Sequence, residues 1–247
     1  MKLRTITAGI CISLLATSTG FAEDKPEFSY SGKHGPEHWG SLSPAWSACA
    51  EGKSQSPINV ASAVDQDLPA LSTAYEPGAK NFTNNGHAVQ VNYDAGSTLT
   101  IGDSGPYELK QFHFHSPSEH QRDGKNLHAE MHLVHADADG NLAVIGVLID
   151  EGHHNAKIAE LWNDIPGFRG TTNDVPRINV ADLLPEDDAH FAYSGSLTTP
   201  PCSEGVSWII MEQPLTMSID QVMALKNAIG FENNRPVQAL NGRTVAK

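Results

Sequence analysis

Two short stretches of the chain carry the pattern that most restricts its fold. In Gln111-Phe112-His113-Phe114-His115 polar and aromatic residues alternate without a break. Glu130-Met131-His132-Leu133-Val134-His135 does nearly the same. A period of two belongs to a β-strand, on which alternate side chains share a face. Gln111, His113 and His115 therefore point one way, and Phe112 and Phe114 point the other way into a core. In the second stretch Glu130, His132 and Val134 share one face, opposite Met131, Leu133 and His135.

Further strands are expected at 89–93, where Val89, Val91 and Tyr93 alternate with Gln90 and Asn92, and at 97–101, 107–115, 128–135, 142–149 and 206–211. The stretch 142–149 is apolar throughout and reads as a central strand covered on both faces. Residues 28–72 are rich in Gly, Ser and Pro and should be mostly loops and turns. Two helices are expected. One spans 155–165, with Ile158, Leu161, Trp162 and Ile165 at helical spacing. The other is opened by the capping box Ser218-Ile219-Asp220-Gln221 and stopped by Gly230. The chain thus reads as mainly β: a large, mixed or antiparallel sheet with peripheral helices in a single domain.

The N-terminus has the form of an address. Lys2 and Arg4 precede an apolar stretch at 6–16, and Gly20-Phe21-Ala22 supplies a small-x-small cleavage signature. Residues 1–22 are read as a secretory signal peptide and 23–247 as the mature domain, with a periplasmic or secreted location. No other apolar stretch is long enough for a bilayer, so no membrane insertion is expected after cleavage. The net charge of −13 argues against nucleic acid as a partner, because phosphates demand basic patches. Cys11 leaves with the signal, and the pair that remains, Cys49 and Cys202, is expected to form one disulfide outside the cytoplasm.

His113, His115 and His132 together make a three-imidazole metal site with no fourth protein ligand. An open fourth position distinguishes catalytic from structural zinc. Gln111 and Glu130 lie on the same faces, placed to accept the outer ring N–H of a ligand histidine and fix its tautomer. The chain has twelve histidines, and an H-x-H pair alone is also compatible with ordinary polar strand residues. His135 falls on the other face and reads as structural, and His153-His154 as surface.

At these residues the sequence resembles the α-carbonic anhydrase family. The resemblance runs from Tyr30 to Arg243. It includes Tyr30 to Trp39, Gln55-Ser56-Pro57-Ile58-Asn59, Asn84-Asn85-Gly86-His87, Gln111 to His115, Ser118-Glu119-His120 and Ala129 to His135. Gly195 to Cys202 and Asn234-Arg235-Pro236 complete the series. It implies the α-carbonic anhydrase fold: a twisted, mostly antiparallel sheet of about ten strands with zinc, Zn(2+), at the floor of a conical cleft. It also implies cis peptides at Ser56-Pro57 and Pro200-Pro201, and it supports the Cys49–Cys202 pairing.

The activity implied is the reversible hydration of carbon dioxide to bicarbonate and a proton, through attack by zinc-bound hydroxide. By resemblance, Thr198 orients the nucleophile by donating to Glu119, and the Thr198 backbone N–H with Thr199 helps hold the substrate. Val134, Val144, Leu197 and Trp208 match the family's apolar pocket. His87 matches its proton shuttle, and Tyr30, Asn85 and Gln90 line the polar proton path. The connection from His115 to His132 is short, as in bacterial members. Lys110 and Ser116 stand where bulky or apolar residues are usual near the cleft. A homodimer is compatible with bacterial relatives. The alternative readings are a non-catalytic carbonic anhydrase-like binding module and a periplasmic zinc carrier.

Overall fold

Eleven strands form one sheet in the computed structural model, which describes residues 26–247. The signal peptide expected at 1–22 lies outside the described residues. The main path of the sheet runs Thr172–Asp174, Ala79–Asn84, Val89–Tyr93, Ser104–His115, Ala129–Ala136, Leu142–Glu151, Glu204–Met211 and His190–Ser196. Its neighbours are antiparallel, except that Leu142–Glu151 runs parallel to Glu204–Met211 and to the short strand Leu215–Met217. Asn59–Val60, Gln121–Arg122 and Lys125–Asn126 make a separate small ribbon.

The alternation of the central strands sorts side chains as their periodicity demands. Phe112, Phe114, Met131 and Leu133 are buried in one core with Val89, Val91, Leu161 and Leu225. The opposite face carries the histidines and a second apolar cluster that includes Val144, Tyr193, Trp208 and Ile210. Leu142–Glu151 is buried along most of its length, as expected of a central strand.

Helix Ile219–Ile229 begins at the expected capping box, in which Ser218 and Gln221 satisfy each other's backbone N–H groups. It ends at Gly230, whose φ of 84° is the left-handed conformation a glycine cap supplies without strain. The other helix is shorter than expected. It covers Ala156–Trp162, with Asn155 capping its N-terminus. Pro166 disfavours helical backbone at Ile165, so the apolar spacing overruns the helix by a turn.

Cis peptides occur at Ser56-Pro57 and Pro200-Pro201 as expected, and also at Gly105-Pro106 and Ser116-Pro117. Cys49 and Cys202 are joined in a disulfide across a sequence separation of 153. Residues 28–72 are indeed mostly irregular, with short helical turns such as Trp39–Leu42 and Ala48–Glu51. Ser116 departs from its expected place at the cleft. It is buried, donating from its N–H to Asn233 Oδ1 and from its hydroxyl to His128 O. Lys110 is exposed at a bulge and pairs with Glu108.

Candidate metal centre

Strand register assembles the site. His113 lies directly opposite His132, and His115 lies opposite Glu130. The ring centroids of the three histidines are 5.0, 5.2 and 4.7 Å apart, and one nitrogen from each lies within 4.8 Å of the others. Each ring uses its other nitrogen for a hydrogen bond. His113 Nδ1 donates to Gln111 Oε1 at 2.8 Å, His132 Nε2 to Glu130 Oε1 at 2.8 Å, and His115 Nδ1 to the main-chain oxygen of Asn233 at 2.7 Å. The inward nitrogens are therefore His113 Nε2, His115 Nε2 and His132 Nδ1.

These donors suit a zinc ion. Burial pushes His113 well below the usual imidazole range, pushes His115 down to about 4, and lowers His132 despite the opposing pull of Glu130. The rings are thus neutral and ready to ligate. His115 Nε2 is buried without any hydrogen-bond partner, a costly state that a metal ion would relieve. Three imidazoles converging on one point form the donor set of zinc sites that keep a fourth position open.

A second set, His120, Glu130 and His132, also has its atoms within 4.8 Å of one another. It is a hydrogen-bond chain. His120 Nδ1 donates to Glu130 Oε1 at 2.7 Å, and its Nε2 meets the Tyr193 hydroxyl at 2.6 Å. Tyr193 in turn meets Ser56 Oγ at 2.7 Å. Glu130 Oε2 accepts the backbone N–H groups of Glu119 and His120 at 2.8 and 2.7 Å. Burial alone would raise the Glu130 carboxyl, but the charges and hydrogen bonds of His120 and His132 outweigh it and hold the group well below the usual range.

Glu119 is fully buried nearby. Its Oε1 accepts the backbone N–H of Arg235 at 2.8 Å. Its Oε2 is buried without a hydrogen-bond partner, and lies 3.5 Å from His115 Nε2 and 3.9 Å from His132 Nδ1. Burial pushes this carboxyl up to about 7, while His132, the Arg235 N–H and the Thr198 side chain pull it back. A cation beside Oε2 would favour the ionised form further. Thr198 is buried in the turn after His190–Ser196, which is closed by Cys202 N–H donating to Thr199 O at 2.9 Å and by the disulfide.

The cleft above the histidines has a volume of about 260 Å³ and includes Tyr30, Asn85, His87, Gln90 and Thr199 in its lining. A larger hollow of about 370 Å³ lies by Asp65, Glu212 and Lys247 and shares no residue with the cleft. Volume alone does not mark the site; the converging nitrogens do. Val144 pairs with Val134 on one side and Trp208 on the other, so cross-strand register lines up the apolar wall, with Leu197 packed against it. Trp208 also meets His132 edge-to-face at 4.9 Å.

His87 stands on a tight turn. Asn85 Oδ1 accepts the N–H groups of His87 and Ala88, both at 2.9 Å, and Gln90 sits opposite His113 in the sheet. The structure thus lines the cleft with Tyr30, Asn85, His87, Gln90 and Thr199, and sets Glu119 and Trp208 against the histidines. His135 is buried on the far face against Tyr75, and His153 and His154 are exposed. Asn233 and Phe28 escaped the sequence reading as site residues, and His120 entered it only within the motif Ser118-Glu119-His120. A main-chain oxygen such as that of Asn233 has no residue signature, although the neighbouring Asn234-Arg235-Pro236 motif marks the region.

Residues 34–247 match the family model described as eukaryotic-type carbonic anhydrase. A carbonic anhydrase of Pectobacterium atrosepticum is 41% identical over 237 residues, covering 96% of this chain and 97% of its own. One from Neisseria gonorrhoeae is 40% identical over 246 residues, covering 98% and 96%. A solved structure of the α-carbonic anhydrase of Thermovibrio ammonificans, in complex with the inhibitor sulfanilamide, superposes with a TM-score of 0.88. It is 44% identical and covers 91% of this chain and 100% of its own.

Proposed function

This chain belongs to the eukaryotic-type, or α-class, carbonic anhydrase family, and on that premise we propose that His113, His115 and His132 hold a zinc ion at which carbon dioxide and bicarbonate are interconverted. The family's reaction is carbon dioxide hydration, and the chain is an enzyme of that family. The observation that carries the zinc reading is the set of three neutral inward nitrogens, each fixed from behind by Gln111, Asn233 or Glu130. Zinc held there would lower the pKa of a bound water to about 7, a value for which carbonic anhydrase is itself the standard example.

The protein's own groups then aim and supply the reaction. Glu119, once ionised, can only accept, so the Thr198 hydroxyl donates to it and keeps its lone pairs for a donor on the nucleophile. Thr198 N–H and Thr199 hold the substrate's oxygens. Val134, Val144, Leu197 and Trp208 offer carbon dioxide a dry apolar wall, suited to a molecule with little polarity to grip. His87 carries the released proton outward through water ordered by Tyr30, Asn85 and Gln90, because an imidazole titrates near neutrality. A carrier or binding module has no use for the Glu119 and Thr198 pair beside the histidines.

The same reading takes 23–247 as the mature domain and puts it outside the cytoplasm. The Cys49–Cys202 disulfide supports the extracytoplasmic location, since cytosolic thiols are kept reduced. No helix among the described residues is long and apolar enough to cross a membrane. The test is stopped-flow carbon dioxide hydration by the mature protein, stripped of zinc and then restored. Activity that disappears and returns with zinc is the expected result. Zinc bound without hydration would overturn the enzymatic reading in favour of a carrier.

A further inference from the structure

The described stretch 26–30 lines the cleft through Phe28 and Tyr30, and Phe28 covers His87. The Phe28 ring stacks on the His87 imidazole with centroids 3.9 Å apart and planes 12° from parallel. Beyond Phe28 the segment is well anchored: Trp39 Nε1 donates to Ser29 O at 2.9 Å, and Ser29 N–H donates to His34 O at 2.9 Å. Before Phe28 the tether is different. Glu27 Oε1 accepts from Arg169 Nη2 at 2.7 Å.

Arg169 rides on the turn that presents His87. A Cβ added at Gly86 would fall 2.5 Å from Arg169 Nε and within 2.9 Å of its Cδ and Cγ, so the arginine stem lies flat on that glycine. Next to it, Gly170 N–H donates to Asn84 O at 2.8 Å. The segment carrying Phe28 and the turn carrying His87 are thus bridged by one ion pair, with the stacked rings beside it.

We propose that the Glu27–Arg169 ion pair is a clasp that seats Phe28 on His87, making Arg169 and Phe28 positioning residues for proton export. The proposal rests on the reading of His87 as the proton relay. Arg169 and Glu27 are the charged groups that act on His87, in opposite directions. Burial, the larger effect, and Arg169 lower its pKa, and Glu27 raises it. Both partners of the pair are exposed, so the clasp is weak and salt-sensitive and shifts a population severalfold rather than locking it. Replacing Arg169 removes the cation and loosens Phe28 from the imidazole, and both changes raise the His87 pKa, whereas replacing Glu27 loosens Phe28 but withdraws an opposing charge.

The experiment uses the zinc-loaded mature protein. It compares Arg169→Gln, Glu27→Gln and the charge-swapped double variant Glu27→Arg/Arg169→Glu, with His87→Ala as the reference. The readouts are the NMR titration of the His87 ring and kcat in weak and in strong buffer, alongside kcat/KM. Proton export follows product release, so it enters kcat and not kcat/KM. Arg169→Gln is expected to raise the His87 titration midpoint, and both single variants to lose weak-buffer kcat severalfold while kcat/KM holds. High salt should mimic the loss in the unmodified protein, and the swap should restore weak-buffer kcat. An unchanged midpoint in Arg169→Gln overturns the clasp, whereas a His87→Ala variant that turns over normally in weak buffer overturns the relay reading instead. A swap that fails to restore turnover also overturns the clasp, since a direct effect of the Arg169 charge would then suffice.

Discussion

The carboxamide nitrogen of Asn233 donates to the main-chain oxygen of His87 at 2.9 Å. The main-chain oxygen of the same residue accepts from His115 Nδ1 at 2.7 Å. One fully buried residue thereby sets the position of the proposed relay relative to a proposed zinc ligand. Its side chain also donates to Phe114 O at 3.1 Å and accepts from Ser116 N–H at 2.9 Å. The link to the ligand is made by backbone and the link to the relay by side chain, so mutation can separate them.

Asn233→Ala is expected to retain zinc while slowing proton export. The substitution keeps the oxygen that orients His115 but frees the His87 turn. It leaves buried polar groups unpaired, at a stability cost on the order of 2–3 kcal/mol. Chelator competition and buffer-dependent kinetics check this. Parallel losses in zinc affinity and in weak-buffer turnover would reduce Asn233 to a general structural role.

Glu130→Gln is expected to weaken zinc binding by roughly 10- to 100-fold with little change in fold. The carboxylate serves four donors: two backbone N–H groups on Oε2 and two imidazoles on Oε1. The backbone donors cannot turn away, so the new amide NH₂ must face His120 and His132. His132 then has to carry its proton on Nδ1, the nitrogen needed for the metal. Zinc affinity equal to that of the unmodified protein would show that Glu130 does not set the tautomer.

How much of this was legible in the sequence depends on where each signal resides. The histidines of the proposed metal site were readable because they lie on rigid strands of regular alternation, so face follows from number. The same rule placed Val144 and Trp208 only through the resemblance, since their register across Val134 needs the assembled sheet. The strand Ala79–Asn84 was missed because it buries Ala79, Phe82 and Asn84, which is not an alternation of apolar residues. Its buried Asn84 is satisfied by Ala228 O, a partner distant in sequence. His190–Ser196 was missed for its small and polar residues at Ser194, Gly195 and Ser196. His120 was noticed only as part of a motif, because a buried histidine between a carboxylate and a tyrosine leaves no local trace.

His135 gives the fold a pH dependence separate from the metal. It is buried against Tyr75, with Nε2 2.8 Å from the hydroxyl, and burial pushes it down to about 4. The unfolded chain binds a proton at this residue from about 6.5 downward, and the native state does not until about 4. Stability from this group is therefore intact above about pH 6.5, falls as pH drops toward 4, and levels off below. Its contribution is about 3 kcal/mol at most. Denaturant unfolding of His135→Gln across this range should show a shallower slope than the unmodified protein. Identical slopes would place the acid sensitivity elsewhere.

Val144→Phe isolates the apolar wall from the metal chemistry. Val144 is 2% exposed, in register with Val134 and Trp208, and it touches none of the hydrogen bonds that orient the three histidines. A phenyl ring there projects into the space assigned to carbon dioxide. Overpacking should cost about 1–3 kcal/mol of stability. Zinc affinity should hold, because Gln111, Asn233 and Glu130 are undisturbed. The catalytic loss should then appear in kcat/KM, on the order of 10- to 100-fold, since an obstructed pocket excludes substrate from every encounter. Weak-buffer kcat should fall less, because the proposed proton path runs on the polar side past His87. If the substitution lowered kcat and left kcat/KM intact, Val144 would not face the substrate, and the wall would have to be sought along another row of the sheet.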